Sequence, residues 1–277
     1  MRTLLVAVAL LLGCCLAVTR VARAGSGATR VSSNWSGYVA TTPADAPRLA
    51  FTDATGSWTV KRVFCGGRGG MSAAFWVGIG GASPRSTALE QIGTAADCSP
   101  SGAAVYRAWI EIIPGPARYL SLTIRPGDHL TAAVSIDHHT VTFSLRNATR
   151  RERYSTRIKD VHPLDTTSAE WIAEAPSLCL AQTVCTIMPL ANFGSLRFSH
   201  LAMIASRHPG TLADPAWAVS PVVLAGKPTG LTRRLVGATP GATDTAGRSF
   251  TVAYRPRLTL PAQPSPHADT PLPPWVH

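Results

Sequence analysis

Two glutamates four residues apart, and one glutamine far upstream of them, are the side chains of this sequence best placed to do chemistry. Glu170 and Glu174 lie in Ser168-Ala169-Glu170-Trp171-Ile172-Ala173-Glu174-Ala175-Pro176, a stretch that otherwise reads as a buried strand. An ionised carboxylate among apolar neighbours is costly unless something there needs it. In a strand, alternate residues share a face, so Glu170, Ile172 and Glu174 point one way and Ala169, Trp171 and Ala173 the other. Two acids on one face suggest a glycosidase pair. Four residues of strand span about 13 Å, whereas a retaining pair needs about 5 Å and an inverting pair about 6.5–9.5 Å. Without a bulge, these two carboxylates cannot flank one glycosidic bond. At least one of them works with a partner from another strand or is structural, and an exposed edge strand with solvated acids is the plainer alternative.

Gln91, in Thr87-Ala88-Leu89-Glu90-Gln91-Ile92-Gly93-Thr94, is a polar residue in a similar strand. Its face companions are Thr87, Leu89 and Gly93. A carboxamide donates hydrogen bonds at any pH and never titrates, which suits it to stabilise an oxyanion in acid. On pattern alone it reads equally as a satisfied structural side chain.

These residues need strands to position them. Short apolar or alternating runs are cut by Gly, Pro, Asn and Asp about every ten residues, which predicts an all-β chain. Expected strands include Asn34–Thr41, Phe51–Val60, Ala73–Ile79, Thr87–Thr94, Ala104–Ile112, Tyr119–Ile124, His129–Ile136 and Thr140–Asn147. Further on come Arg153–Ile158, Ala169–Ala175, Ser195–Ala205, Ala216–Leu224, Leu231–Gly237 and Ser249–Tyr254. Pro126-Gly127-Asp128 reads as a turn, and Asp137-His138 as the turn of a hairpin. So many strands in one domain predict two sheets packed face to face, because a single open sheet would curl or split.

Several segments resemble the glutamic peptidases, the eqolisin family, and do so in family order from Ser33 to Tyr254. Ser33-Asn34-Trp35-Ser36-Gly37-Tyr38-Val39 is similar to the family's opening motif, and Gly56-Ser57-Trp58-Thr59-Val60 to its next strand. Phe75-Trp76-Val77-Gly78-Ile79-Gly80-Gly81 matches a Trp-Val-Gly-Ile-Asp-Gly segment, and Leu89-Glu90-Gln91-Ile92-Gly93 the strand that carries the catalytic glutamine. Tyr106-Arg107-Ala108-Trp109-Ile110-Glu111 and Pro126-Gly127-Asp128 follow. Ala169-Glu170-Trp171-Ile172-Ala173-Glu174 matches Ala-Glu-Trp-Ile-Val-Glu, whose second glutamate is catalytic, and Phe193-Gly194-Ser195-Leu196-Arg197-Phe198 resembles the strand after it.

The resemblance implies a two-sheet antiparallel β-sandwich, a concanavalin-like jelly roll, and an endopeptidase in which Glu174 is the general base and Gln91 its partner. It also implies Trp35 and Trp76 as walls for peptide side chains, with core or sheet-face packing as the alternative, and Glu111 and Glu170 near the dyad and substrate, with pairing to arginines as theirs. A carboxylate base beside a neutral amide, with no second acid, would escape the shared-proton problem of paired aspartates. Neither metal nor cofactor is expected. Gly80 departs from the family's Asp, Ile112-Ile113 from an aromatic pair, and the basic balance from the family's acidic fungal members.

Around this domain the sequence predicts targeting and tail segments. Arg2 precedes an apolar run from Leu4 to Val18, short for a bilayer span, and Ala22-Arg23-Ala24 fits a leader cleavage signature. Residues 1–24 are therefore expected to be a signal peptide and the chain to be secreted. The rival is a lipobox at Leu11-Leu12-Gly13-Cys14, with a lipid anchor on Cys14. No other run is long enough for a transmembrane helix. Residues 25–255 form the expected sandwich, with no room for a folded propeptide before Asn34, and 256–277 a proline-rich extended tail.

Of six cysteines, Cys14 and Cys15 leave with the leader. The remaining four, Cys65, Cys98, Cys179 and Cys185, suggest disulfides in an exported chain. Three pairings are open; Cys65–Cys98 with Cys179–Cys185 is the one expected, and a zinc site lacks its ligand spacing. Removing Arg2, Arg20 and Arg23 leaves 23 basic against 15 acidic residues. That charge is spread along the chain without the basic, aromatic-laced stripe of a nucleic-acid binder. The expected partner is a polypeptide substrate, with no nucleic acid and no membrane span, and the protein itself is expected to be a monomer. A non-catalytic sandwich that binds glycans or peptides on the same face is the second reading.

Overall fold

Alternation in the sequence translates into alternation in burial. In His129–Asp137, Leu130, Ala132, Val134 and Ile136 are buried and the residues between them face outward. A computed structural model describes residues 25–259 apart from 68, 182–183 and 227–234. The expected leader with Cys14, nearly all of the tail, and the first half of the Leu231–Gly237 strand lie outside the described residues.

Among the described residues there is no helix, and the strands run β1 (Gly25–Ser26), β2 (Arg30–Ser32), β3 (Trp35–Thr41), β4 (Phe51–Thr59), β5 (Ser72–Gly80), β6 (Leu89–Cys98), β7 (Ala104–Ile113), β8 (Arg118–Tyr119), β9 (His129–Asp137) and β10 (Thr140–Asn147). They continue as β11 (Glu152–Ile158), β12 (Ser168–Glu174), β13 (Ser177–Ala181), β14 (Val184–Ile187), β15 (Ser195–Ala205), β16 (His208–Gly210), β17 (Ala218–Ala225), β18 (Leu235–Pro240) and β19 (Ser249–Leu258).

Two layers result. The front layer is ordered β17-β3-β12-β5-β6-β7-β8, all antiparallel, with β1 and β2 adding to β17 in parallel. The back layer is β18-β19-β15-β4-β9-β10-β11, with β16 folded onto β15. A short β17–β18 pairing, Leu224 opposite Ala238 and Ala225 opposite Gly237, joins the layers at one edge. The ladder is thus continuous, and β13–β14 forms a separate hairpin.

The core between the layers is built from β5, β6, β12 and their neighbours facing β4, β9, β10 and β15. Two indoles tie the layers by hydrogen bonds as well as packing. Trp171 Nε1 donates to the Thr55 carbonyl at 2.9 Å, and Trp58 Nε1 to Thr94 Oγ1 at 3.2 Å. Cys65–Cys98 and Cys179–Cys185 are both bonded, the second closing the β13–β14 hairpin.

Two expectations needed correction. The Tyr119–Ile124 alternation is not a strand: only Arg118–Tyr119 pairs, and Leu122 and Ile124 are apolar because they anchor a loop onto the core. The last strand does not stop at Tyr254 but runs through Pro256 to Leu258, past an irregular register with β18.

Candidate active site

Glu174 is the last residue of β12, opposite Trp35 of β3 on one side and Ala74 of β5 on the other. The partly exposed carboxyl is held at both oxygens. Oε2 accepts from Trp76 Nε1 at 2.7 Å and Oε1 from Asn34 Nδ2 at 3.1 Å. Asn34 is fully buried, and the Ser32 hydroxyl donates to its Oδ1 at 3.1 Å, which leaves the Nδ2 donor for Glu174. Burial raises the Glu174 pKa to about 7 despite the hydrogen bond from Trp76, and that from Asn34, which favour the charged form.

Gln91 lies on the other side of β5, opposite Gly78, and opposite Glu111 of β7. Ala74, Trp76 and Gly78 alternate with core residues of β5, so Glu174 and Gln91 flank the same face of that strand, offset along it by four residues. Gln91 Nε2 donates to Glu111 Oε2 at 2.7 Å. Nε2 carries a second N–H, Gln91 is 3% exposed, and its Oε1 is buried without a hydrogen-bond partner among the described residues. No hydrogen bond joins Gln91 to Glu174 directly among the described residues. The two are linked through Glu111, whose pKa rises to about 7, first through burial and then through the charge of Glu174.

This corrects the expectation of a base with no second acid. Glu111 is a second carboxyl in the field of Glu174, so the two titrate as a coupled pair. Whichever of the two ionises first holds the proton on the other, so the pair loses its protons in two steps.

Trp76 and Trp35 differ from their expected role as substrate walls. Trp76 is fully buried with its N–H committed to Glu174, and Trp35, 2% exposed, stacks edge-on against it at 4.9 Å. Together they orient the carboxyl and offer a substrate little surface. Gly78 makes room for this arrangement: a Cβ there would stand 2.9 Å from the Trp76 ring and 3.3 Å from Gln91 Cβ.

Glu170 is not brought to the cleft surface. It is fully buried and its oxygens have no hydrogen-bond partner. Its pKa is raised well above the usual carboxylate range by burial, with the charges of Asp165 and Glu90 adding to this and Arg30 opposing it. Glu90, on the opposite face of β6 from Gln91, is likewise fully buried, and its pKa rises to about 9 through burial and the charge of Asp165. Asp165 accepts hydrogen bonds from the Ser86 hydroxyl and the Gly81 amide. Its backbone fills the place beside Gly80, where an added Cβ would stand 2.4 Å from the Asp165 carbonyl oxygen. Position 80, where the resemblance leads one to expect an aspartate, therefore has no space for a side chain while Asp165 lies against it.

Asn34 is the site residue that sequence reasoning missed, although it sits in a motif that reasoning quoted. Among the described residues no group of His, Cys, Asp and Glu side chains has the arrangement of a metal site.

The sequence pattern of the peptidase A4 family matches residues 33–224, a span that contains Asn34, Gln91, Glu111 and Glu174. The chain belongs to the peptidase A4 family, and is a peptidase of the glutamic type. Among solved structures it is similar to scytalido-glutamic peptidase with a transition state analog inhibitor, at 21% identity and a TM-score of 0.67, covering 80% of this chain and 98% of that one. A second structure of that peptidase, with a peptide-based transition state analog, aligns over the same shares at a TM-score of 0.64 and 21% identity. SCP-B, an eqolisin-family peptidase in complex with the tripeptide Ala-Ile-His, gives 0.62 at 21% identity, again covering 80% and 98%. No curated protein sequence matches the chain.

Proposed function

We propose that this chain is a secreted endopeptidase, with Glu174 as general base and Gln91 as the donor to the oxyanion; the Glu174 pKa of about 7 places the acid limb of its activity near neutrality, so cleavage in acid draws on the minor ionised fraction. Ionised Glu174, its oxygens fixed by Trp76 and Asn34, takes a proton from a water molecule, which attacks the scissile carbonyl. The second N–H of Gln91 stabilises the oxygen of the tetrahedral species. Glu174 then passes its proton to the leaving nitrogen, which returns the site to its starting charge. Glu111 keeps the amide of Gln91 turned so that Nε2 faces the site.

The observation that carries this reading is that Glu174 and Gln91 flank the same face of β5, the first held by Trp76 and Asn34 and the second by Glu111. Export is supported by the two disulfides, which persist in oxidising compartments, and by the apolar leader pattern. Cleavage after Ala24 and a folded unit that begins at Gly25 belong to the same proposal, and N-terminal sequencing of the exported protein checks them.

The test is casein hydrolysis followed from about pH 3 to 8, across the Glu174 pKa of about 7. We expect Gln91→Ala to lower kcat about 10²–10³-fold, the range for removing one oxyanion donor. Glu174→Gln should lower it about 10²–10⁴-fold, the range for losing a general base. Both variants should keep a near-native melting temperature, and the wild-type activity should resist pepstatin and chelators. Wild-type-like cleavage in either variant would refute the assignment. A wild-type chain that cuts no polypeptide between about pH 2 and 8, a range that spans both forms of Glu174, would instead favour the non-catalytic binding reading.

A further inference from the structure

The outward face of the back layer gathers basic residues that lie far apart in the sequence. Alternation turns Arg146 of β10 outward, with Arg153 and Arg157 of β11, Thr131 of β9, Ser57 of β4, and Arg197 and Ser199 of β15. Arg153 is directly opposite Arg146, Arg146 opposite Thr131, Thr131 opposite Ser57, and Ser57 opposite Ser199. One row of guanidinium and hydroxyl groups therefore crosses five adjacent strands, about 19 Å at the usual strand spacing. It runs into a groove of about 410 Å³ on the same face, lined by those hydroxyls together with Arg197, His129 and His200.

Like charges directly opposite each other in a sheet are unfavourable, and neither Arg146, Arg153 nor Arg157 has a carboxylate in ion-pair range among the described residues. The acids of this face stand elsewhere: Asp53 opposite Ser135 and Asp137 opposite Thr140 lie toward the other end, and Asp244 lies beyond Arg197 and Ser249. An anion that bridges Arg146 and Arg153 would turn their mutual repulsion into two charge-assisted hydrogen bonds.

We infer that this face binds an extended anionic polysaccharide, its carboxylate or sulfate groups on the arginines and its hydroxyls on the Ser57, Thr131 and Ser199 row. A single-stranded nucleic acid fits less well, because base stacking needs exposed aromatic rings. The exposed large apolar residues among those described are Val31, Phe64, Val105, Tyr119 and Leu178, and none of them is on this face.

The experiment is retention of the full exported chain on immobilised polygalacturonate and on dextran sulfate, with neutral dextran as a blank, read against NaCl concentration. The two charged matrices separate carboxylate from sulfate recognition. The wild type should bind at least one of them and ignore dextran. Arg146→Ser/Arg153→Ser should elute at clearly lower salt and reduce the slope of log Kd against log salt by about 2, one unit per lost ion contact. Its casein hydrolysis should be unchanged. The control Arg48→Ser/Arg207→Ser removes the same charge from exposed loops and should elute with the wild type. The inference is overturned if neither charged matrix retains the wild type, if both double variants elute together, or if an oligothymidylate binds more tightly than either polysaccharide. Because retention is read without catalysis, an inactive but retained protein would refute the peptidase assignment of Glu174 and Gln91 without touching this one.

Discussion

Asn34 shows how a general base is kept usable inside an apolar wall. Its amide, with the Trp76 indole, supplies hydrogen bonds to the carboxyl that burial would otherwise neutralise. Hydrogen bonds to a charged form lower an acid's pKa. Asn34→Ala should therefore move the Glu174 pKa further up, and the acid limb of kcat/KM to higher pH, with KM little altered. A pH–rate profile checks this, and a limb that stays in place would show that Trp76 and Trp35 set the charge state without Asn34. Glu174 and Gln91 were legible in the sequence because a polar side chain in a buried strand stands out against its neighbours. Asn34 was not: it was read as the first residue of the Asn34–Thr41 strand, and only the β3–β12 pairing brings its amide to the Glu174 carboxyl. Glu111 was named, but that its hydrogen bond goes to Gln91 follows only from the β6–β7 register, which sets the two opposite each other.

The long strands were readable from alternation, and most boundaries fall within two residues of expectation. Elements stabilised by distant partners were not readable. β1 and β2 are too short to show a period and exist only as parallel additions to β17, while Leu122 and Ile124 mimic a strand from a loop. The end of β5 illustrates the same limit. Gly80 has φ +87° and lies against Asp165, so any side chain there meets both backbone strain, about 1–3 kcal/mol for a non-glycine residue, and a steric clash. Gly80→Asp, which restores the residue of the family pattern, should lower Tm by about 5 °C or more at roughly 2–4 °C per kcal/mol. A calorimetric scan tests it, and an unchanged Tm would mean that the loop carrying Asp165 yields freely.

For the molecule as a whole, buried acids set a preference for low pH. Glu90 has an ordinary value of 4.5 and a folded value of about 9, and Glu170 is shifted in the same direction. A raised folded pKa means that the folded state holds a proton the unfolded chain has released. Unfolding free energy therefore falls as pH climbs from about 4.5 toward 9. Tm should be highest below about pH 4.5 and decline toward neutrality, with Glu90→Gln flattening the decline. Thermal scans in buffers from pH 4 to 8 decide it, and a Tm that increases over that interval would contradict the protonated burial of both acids. Net charge, by contrast, was legible only as a total. The sequence spreads its arginines singly, and pairing of β9, β10 and β11 brings several of them side by side.

The two layers also turn their working surfaces in opposite directions, the dyad strands on one outer side and the arginine row on the other. A molecule resting on a charged matrix by its rear would keep its blade pointed away from the support. Docking and cutting would then not compete for the same ground, and each enzyme would act as a fixed station, processing whatever chains drift past.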